Sequence, residues 1–303
     1  MKKLIILFNL SFLILKPIPS LAKINIVATL PSLGALASEV GGDQVQVKTL
    51  ARGNQDAHFL EAKPSYVVVL NRADLLIHNG MELENAWLDP ILLQSKNPKI
   101  QRGQEGYLDA SQAIIPLDVP TGTVDRSLGD IHPQGNPHYL LDPRNLLKIA
   151  SLIENRLSKI DPDHASLYQN HRIQLQNRLQ EKIKEWKSTF EKNIQGKPRT
   201  IISYHKTFNY LANWLGLEVL AYVEPLPGIP PNARHSKQLV ELIQAKQIPL
   251  LVMASYYPKK VPDYLQSKTG IKILVSTVDI QEVSLEGILE HFENLIKELS
   301  ENL

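Results

Sequence analysis

The sequence predicts an α/β protein of two domains, each with a mainly parallel sheet flanked by helices, joined by one long rigid backbone helix. Short apolar runs alternate with stretches of helical periodicity in both halves of the chain, a pattern typical of parallel α/β layers. Residues 164–193, between the halves, contain neither glycine nor proline. The length of 303 residues also fits two domains of about 150 residues each.

The predicted elements alternate along both halves of the chain. In the first half they are strands at 23–28, 45–50 and 74–78, a short segment at 66–70 before the turn that precedes 74–78, and helices at 31–40, 84–94 and 145–157. In the second half they are strands at 200–204, 217–222, 249–254 and 271–275 and helices at 207–215, 233–246, 261–268 and 284–299. Apolar runs mark the strands, and apolar residues spaced three and four apart mark the helices. We expect Pro90 to break the helix that contains it.

The stretch 164–193 predicts the linking helix. At 1.5 Å per residue, a helix of this length spans about 45 Å, enough to run past a whole domain. Asp161-Pro162-Asp163 gives a start signal, because proline favours the first helical position and acids favour the first turn. We therefore divide the chain into four parts. They are a leader at 1–22, an N-terminal α/β domain at 23–158, the linking helix at 159–195 and a C-terminal α/β domain at 196–303.

The first 22 residues have the features of a secretory signal peptide. Lys2 and Lys3 precede an apolar run at 4–15, and Ser20-Leu21-Ala22 provides small residues for cleavage after Ala22. The run of 12 residues is shorter than the roughly 20 that a membrane-spanning helix needs. The chain has no cysteine, so the cleavage site offers no lipid acceptor. We expect a soluble protein exported to a bacterial periplasm.

The charge balance argues against a nucleic-acid partner. Three of the 33 basic residues lie in the predicted leader, so the mature chain carries 30 basic against 31 acidic residues, a net charge of −1. A nucleic-acid-binding surface needs basic residues clustered on one face. The sequence shows no such cluster.

Four candidate metal ligands recur at similar places in the predicted fold. His58, His205 and Asp279 lie just beyond predicted strands, where open α/β sheets bind ligands. His138 lies in the segment 129–143, which is rich in proline and glycine. Three neutral imidazoles and one carboxylate match the ligands that Zn²⁺ takes in a four-coordinate site. The spacing alone proves nothing, because a single loop histidine is by default a solvated or turn-stabilising residue.

Three other residues are secondary candidates. His132 shares the segment 129–143 with His138 and is a rival ligand. His78 follows an apolar run and is either a residue that supports a ligand or a buried, hydrogen-bonded imidazole. Asp142 is a candidate to orient His138. The other histidines are expected to contact backbone or solvent: His164, His171, His235 and His291.

The residues resemble a known family, the cluster A-I solute-binding proteins of ZnuA/TroA type, which serve bacterial ABC importers for zinc and manganese. The similarity covers the whole mature chain. Its motifs come in the family's order: 53–65 around His58, 136–143 around His138, 204–217 around His205, then 224–230 and the late Asp279. The chain resembles a subgroup that lacks the long His-rich loop, here between Leu117 and His138. Ala57 replaces the family's usual proline, and Leu140 a common aromatic residue.

The resemblance implies a metal ion held in the cleft between two α/β domains. It implies His58 and His138 of the first domain and His205 and Asp279 of the second as ligands. It also implies a periplasmic receptor that binds the ion as cargo and delivers it to an ABC-type permease in the inner membrane. We expect a monomer. Zn²⁺ is favoured because Mn²⁺ prefers more oxygen ligands, and a Mn²⁺ receptor is the alternative.

A secreted zinc hydrolase is the alternative from another class, since three histidines can also hold a catalytic zinc ion. The sequence contains no His-Glu-x-x-His pair and no Gly-x-Ser-x-Gly turn. A closed four-ligand site suits capture better than catalysis, which keeps one position open for water or substrate. We therefore predict that the protein is not an enzyme.

Overall fold

The structure is a computed structural model that describes residues 23–122, 129 and 131–303. The predicted signal peptide lies outside the described residues. Within them the chain forms two lobes, each built on a parallel sheet of four strands. The two-domain α/β fold predicted from the sequence is confirmed.

The first lobe holds a sheet in the order β2-β1-β3-β4, with every pair parallel. Its strands are β1 (Ile24–Ala28), β2 (Val45–Thr49), β3 (Leu75–His78) and β4 (Tyr107–Asp109). Its helices are α1 (Pro31–Gly41), α2 (Pro64–Asn71), α3 (Asn85–Ser95) and α4 (Pro143–Ile160). The strands β1 and β3 at the centre are largely buried, as strands covered by helices on both faces must be.

The predicted break at Pro90 is wrong, because Pro90 lies inside the continuous helix α3. Proline there removes one i→i−4 hydrogen bond, the one to the carbonyl of Ala86, and the rest of the helix continues. Buried side chains on both sides of it, including Leu88 and Ile91, hold the helix against the lobe. Tertiary packing therefore outweighs the local preference at this position.

A single helix, α5 (Ala165–Asn193), links the lobes as predicted. Its 29 residues span about 44 Å, and one 3-10 turn at Pro162–His164 precedes it. It packs against α1 and α4 of the first lobe. Near its end, Trp186 stacks on Phe292 with ring centroids 5.4 Å apart.

The second lobe repeats the topology of the first, in the order β6-β5-β7-β8. Its strands are β5 (Thr200–Ser203), β6 (Glu218–Tyr222), β7 (Leu250–Ala254) and β8 (Lys272–Ser276). Its helices are α6 (Asn209–Leu215), α7 (Ala233–Lys246), α8 (Lys260–Thr269) and α9 (Leu285–Asn302). The last helix returns to pack on α1 and α5, so it contacts both the first lobe and the linking helix.

One continuous apolar cluster runs through the first lobe, the linking helix and part of the second lobe. It includes Ile77 of β3, Leu179 of α5, Trp214 of α6 and Phe292 of α9. A smaller cluster lies under α7 and α8. The lobes are thus joined by buried apolar surface as well as by the linking helix. No helix among the described residues is long and apolar enough to cross a membrane.

A candidate metal centre between the lobes

Three histidines meet where the two lobes face each other. One ring nitrogen from each of His58, His138 and His205 lies within 4.8 Å of the others. The His58 and His138 rings are 5.1 Å apart between centroids, and the His138 and His205 rings 5.4 Å. Parallel strands present their carboxyl ends at one edge of a sheet, and the loops after β2 and β5 carry His58 and His205 to these edges.

A carboxylate orients His58. The Asp56 carboxylate accepts hydrogen bonds from the backbone N of His58 at 3.0 Å and from its ring Nδ1 at 2.7 Å. Burial alone would raise the pKa of Asp56, but the hydrogen bonds from the backbone and ring of His58 outweigh it and lower that pKa. An ionised Asp56 keeps the proton of His58 on Nδ1, so Nε2 is left with the lone pair that a metal needs.

His205 has an equivalent partner in the second lobe. Its Nδ1 donates to Oε2 of Glu224 across 2.8 Å, and both side chains are buried. Glu224 also accepts from the backbone N of Gly228 at 3.1 Å, which fixes the carboxylate in turn. His205 therefore presents Nε2 to the cluster in the same way as His58.

His138 contributes a buried nitrogen. No hydrogen-bond partner among the described residues reaches its Nε2. Burial and the neighbouring imidazoles lower the pKa of His138 well below its ordinary value. The ring is therefore neutral, the form that binds metal.

Asn136 positions the loop that carries His138. Its Oδ1 accepts from the backbone N of His138 at 2.9 Å, and its Nδ2 donates to the carbonyl of Lys206 at 2.8 Å. Asp142 does not orient His138, contrary to expectation. It caps α4 by accepting from the backbone N of Arg144 at 3.0 Å and pairs with that residue's guanidinium group.

Asp279 lines the same cavity as His58 and His138. It is buried, and it accepts from the backbone N of Ile280 at 2.7 Å, from the backbone N of Ser32 at 3.1 Å and from the Ser32 hydroxyl. Burial raises its pKa to about 6, although these hydrogen bonds oppose the shift. Among the residues that the structure describes, the close cluster of ligand atoms comprises the three histidines, and Asp279 lies outside it in the adjoining cavity.

The two secondary candidates, His132 and His78, lie in different surroundings. Nε2 of His132 lies 3.2 Å from Nε2 of His58, so His132 belongs to the cluster's surroundings. His78 is buried, with its ring centroid 4.5 Å from that of Tyr107 and its Nδ1 4.0 Å from the carboxylate of Glu84. His78 is therefore a buried packing residue of the first lobe, and it does not join the three-histidine cluster.

Sequence reasoning missed Asp56, Glu224 and Asn136 as partners of the histidines. Two signals were available. Asp56 stands two residues before His58 and Asn136 two before His138, the spacing at which an Asp or Asn side chain caps the following turn. Glu224 gave no local signal, because it lies 19 residues from His205 and meets it only through the pairing of β5 with β6.

Comparison with known proteins identifies the family. The model of the family described as "Zinc-uptake complex component A periplasmic" matches residues 26–303. The chain belongs to this ZnuA family. Its members are substrate-binding proteins of metal transport and not enzymes, in agreement with the sequence-based prediction.

Relatives of this ZnuA-family chain carry names that refer to different metals. The manganese ABC transporter substrate-binding lipoprotein PsaA of Streptococcus mitis is 26% identical, over 91% of this chain and 86% of its own length. The iron-binding protein YfeA of Yersinia pestis is 24% identical, over 84% of this chain and 76% of its own. The zinc-binding lipoprotein AdcA of Streptococcus pneumoniae strain R6 is 23% identical, over 93% of this chain and 54% of its own. A crystal structure of ZnuA shares the fold with a TM-score of 0.75 at 21% identity, over 92% of this chain and 99% of the other.

Proposed function

We propose that this ZnuA-family protein captures one Zn²⁺ ion outside the cytoplasm and delivers it to an ABC-type permease. The observation that carries the proposal is the approach of three imidazole nitrogens, from both lobes, to within 4.8 Å of one another. Imidazole nitrogen is a preferred ligand of zinc. The ion is cargo, so the site must bind it and later release it.

The ligand set of the proposal is His58, His138, His205 and Asp279. Zinc–nitrogen bonds of about 2.0–2.1 Å at tetrahedral angles put two ligand nitrogens about 3.3–3.4 Å apart. Nitrogens within 4.8 Å of one another therefore need only small ring movements to reach this geometry. Asp279, in the same cavity as His58 and His138, provides the fourth ligand. Its pKa of about 6 leaves it ionised at neutral pH, as a ligand must be.

The choice of zinc over manganese rests on the donor atoms. Three nitrogens and one carboxylate form a nitrogen-rich site, whereas Mn²⁺ favours carboxylate, carbonyl and water oxygens. A manganese receptor is the second candidate, because PsaA is a manganese-transporter protein by name and is 26% identical. A zinc receptor should bind Zn²⁺ more tightly than Mn²⁺, and a manganese receptor should show the opposite order.

A direct titration distinguishes them. Chelator-treated protein is titrated with Zn²⁺ and with Mn²⁺ against a chromophoric competitor at neutral pH. The proposal expects one Zn²⁺ per chain, bound more tightly than Mn²⁺, and a large loss of affinity in His58→Ala, His138→Ala and His205→Ala. Tighter Mn²⁺ binding would favour the second candidate. Zinc binding that all three variants retain would place the site elsewhere.

A further inference from the structure

A short segment at 280–286, called the strap below, connects the end of the second-lobe sheet to the first turn of α9. By its place in the chain it belongs to the second lobe, because it follows β8. In the structure it runs along α1 of the first lobe and reaches the linking helix α5. The contacts along the strap show which lobe holds it.

The first half of the strap lies directly against the first lobe. Ile280 has 1% of its surface exposed and belongs to the large apolar cluster. A Cβ atom at Gly53, in the loop after β2, would come within 2.2 Å of the Ile280 carbonyl oxygen, so the two backbones are in close contact. A Cβ atom at Gly34 of α1 would lie 3.2 Å from Cγ1 of Val283. Glycine at both positions therefore allows the first lobe to approach the strap closely.

The second half of the strap meets α1 and α5. Leu285 is 3% exposed and lines one cavity together with Glu39 of α1. Burial raises the pKa of Glu39, and the backbone N–H of Leu285 opposes this shift. Glu286 pairs with Arg178 of α5 across 2.9 Å. These contacts extend the attachment of the strap from the first lobe to the linking helix.

The packing is looser between the strap and the strand that precedes it. A cavity of about 400 Å³ is lined both by the end of β8, at 275–277, and by Gln281, Glu282 and part of α9. The turn of the strap is held from within, because the Ser284 hydroxyl donates to the Glu282 carboxylate at 3.1 Å and accepts from the backbone N of Gly287 at 3.0 Å. The strap thus keeps its shape without support from β8.

We propose that the strap moves with the first lobe: when the second lobe moves, the chain bends at Thr277 and Val278, and the strap stays on α1. These two residues lie outside any helix or strand, so their backbone torsions can change without breaking a regular element. Further along, α9 also contacts the second lobe, since Phe292 packs edge-on against Trp214 with ring centroids 6.4 Å apart. The inference goes beyond the proposed function, because it concerns the metal-free chain and needs no ion.

Hydrogen exchange of the chelator-treated protein, followed by mass spectrometry of the fragment that covers 280–286, tests the inference. Leu70→Ala weakens the first lobe and Leu265→Ala the second. Both leucines are 0% exposed, and they belong to different apolar clusters. Exchange in the strap should be about tenfold faster or more in Leu70→Ala and unchanged in Leu265→Ala, because a segment exchanges with the cooperative unit to which it belongs. Faster exchange in Leu265→Ala, or unchanged exchange in Leu70→Ala, would overturn the inference. Neither result bears on the proposed function, since no metal is present.

A milder pair of variants serves if a buried Leu→Ala change prevents folding. Ile153→Val lies in α4 and in the large cluster, and Ile243→Val lies in α7 and in the smaller cluster. The strap should exchange about threefold faster in Ile153→Val and at the wild-type rate in Ile243→Val. The fragment 260–269 of α8 is the internal control and should respond in the opposite way. A strap that follows the α8 fragment would show that it belongs to the second lobe.

Discussion

The side-chain amide of Asn136 donates to the carbonyl oxygen of Lys206 across 2.8 Å, while its Oδ1 accepts from the backbone N of His138 at 2.9 Å. Asn136 is buried, with 4% of its surface exposed. One side chain thus connects the loop that carries His138 in the first lobe to the residue that follows His205 in the second. It sets the distance between two proposed ligands that come from different lobes.

Replacing Asn136 should therefore affect both stability and metal binding. In Asn136→Ala, the backbone N of His138 and the carbonyl of Lys206 lose a buried partner, which costs about 1–3 kcal/mol of unfolding free energy. Zinc affinity should fall as well, because His138 and His205 are no longer held at a fixed separation. Urea denaturation and competitive zinc titration measure the two effects. Asn302→Ala, which removes an exposed hydrogen bond at the end of α9, is the control and should change neither. A wild-type zinc affinity in Asn136→Ala would show that Asn136 has no positioning role.

The carboxylate behind His205 gives a second prediction. Glu224→Ala removes the acceptor of the His205 Nδ1 proton and should lower zinc affinity about 10–100-fold, the usual effect of losing such a partner. Glu224→Gln keeps an oxygen acceptor and should lose less. Competitive zinc titration of both variants gives the comparison. Equal losses in the two variants would mean that the charge of Glu224, and not its hydrogen bond, supports His205.

Most of the fold could be predicted because its signals are local. Strands such as β7 are continuous apolar runs, and α4 has one apolar face and a proline at its start. The strand β4 has only three residues, too few for a periodic pattern, and it is held by pairing with β3. The hydrogen-bond partners of the histidines differ in the same way: some can be predicted from local sequence and some depend on the tertiary fold. Asp56 caps its own turn and has a local signal, whereas Glu224 depends on the sheet.

The contact between His132 and His58 could not be predicted from the sequence. The sequence placed His132 beside His138 in the segment 129–143, where it was a rival ligand. The structure instead brings His132 to His58, 74 residues away, through the packing of two loops. Only the tertiary fold contains this information.

A close backbone approach supports a third prediction, at Gly53 in the loop before His58. A Cβ atom at Gly53 would overlap the carbonyl oxygens of Asp279 and Ile280, so Gly53→Ala must push the Asp279 loop away. We expect weaker zinc binding and a loss of stability of about 1–3 kcal/mol, typical of forced overpacking. Gly122→Ala is the matched control, since a Cβ atom there has no neighbour within 4 Å. Identical zinc affinities in the two variants would contradict the close approach.

The raised pKa of Asp279 predicts how the stability of the metal-free protein depends on pH. Burial raises this pKa to about 6, against about 3.9 in an unfolded chain. The folded state thus holds the proton more tightly, so the stability that this gives is fully present below about pH 3.9 and is lost as the pH rises through about 6. The difference of about two pH units corresponds to about 3 kcal/mol at most.

Asp279→Asn removes this titration and keeps an oxygen that accepts from Ser32 and Ile280. We expect the metal-free variant to be about 2–3 kcal/mol more stable than the wild type above about pH 7, and equally stable near pH 4. Urea denaturation of chelator-treated protein at both pH values measures this, with the exposed Asp43→Asn as control. A stability difference that is the same at the two pH values would mean that Asp279 is not the titrating group.

Anomalous diffraction at the zinc absorption edge, from crystals of the zinc-loaded protein, tests the central claim most directly. The account predicts one strong peak between the lobes, with nitrogens of His58, His138 and His205 and an oxygen of Asp279 at about 2.0–2.2 Å. A peak outside the cleft, or a zinc ion in the cleft that any of the three histidines fails to contact, would contradict the account.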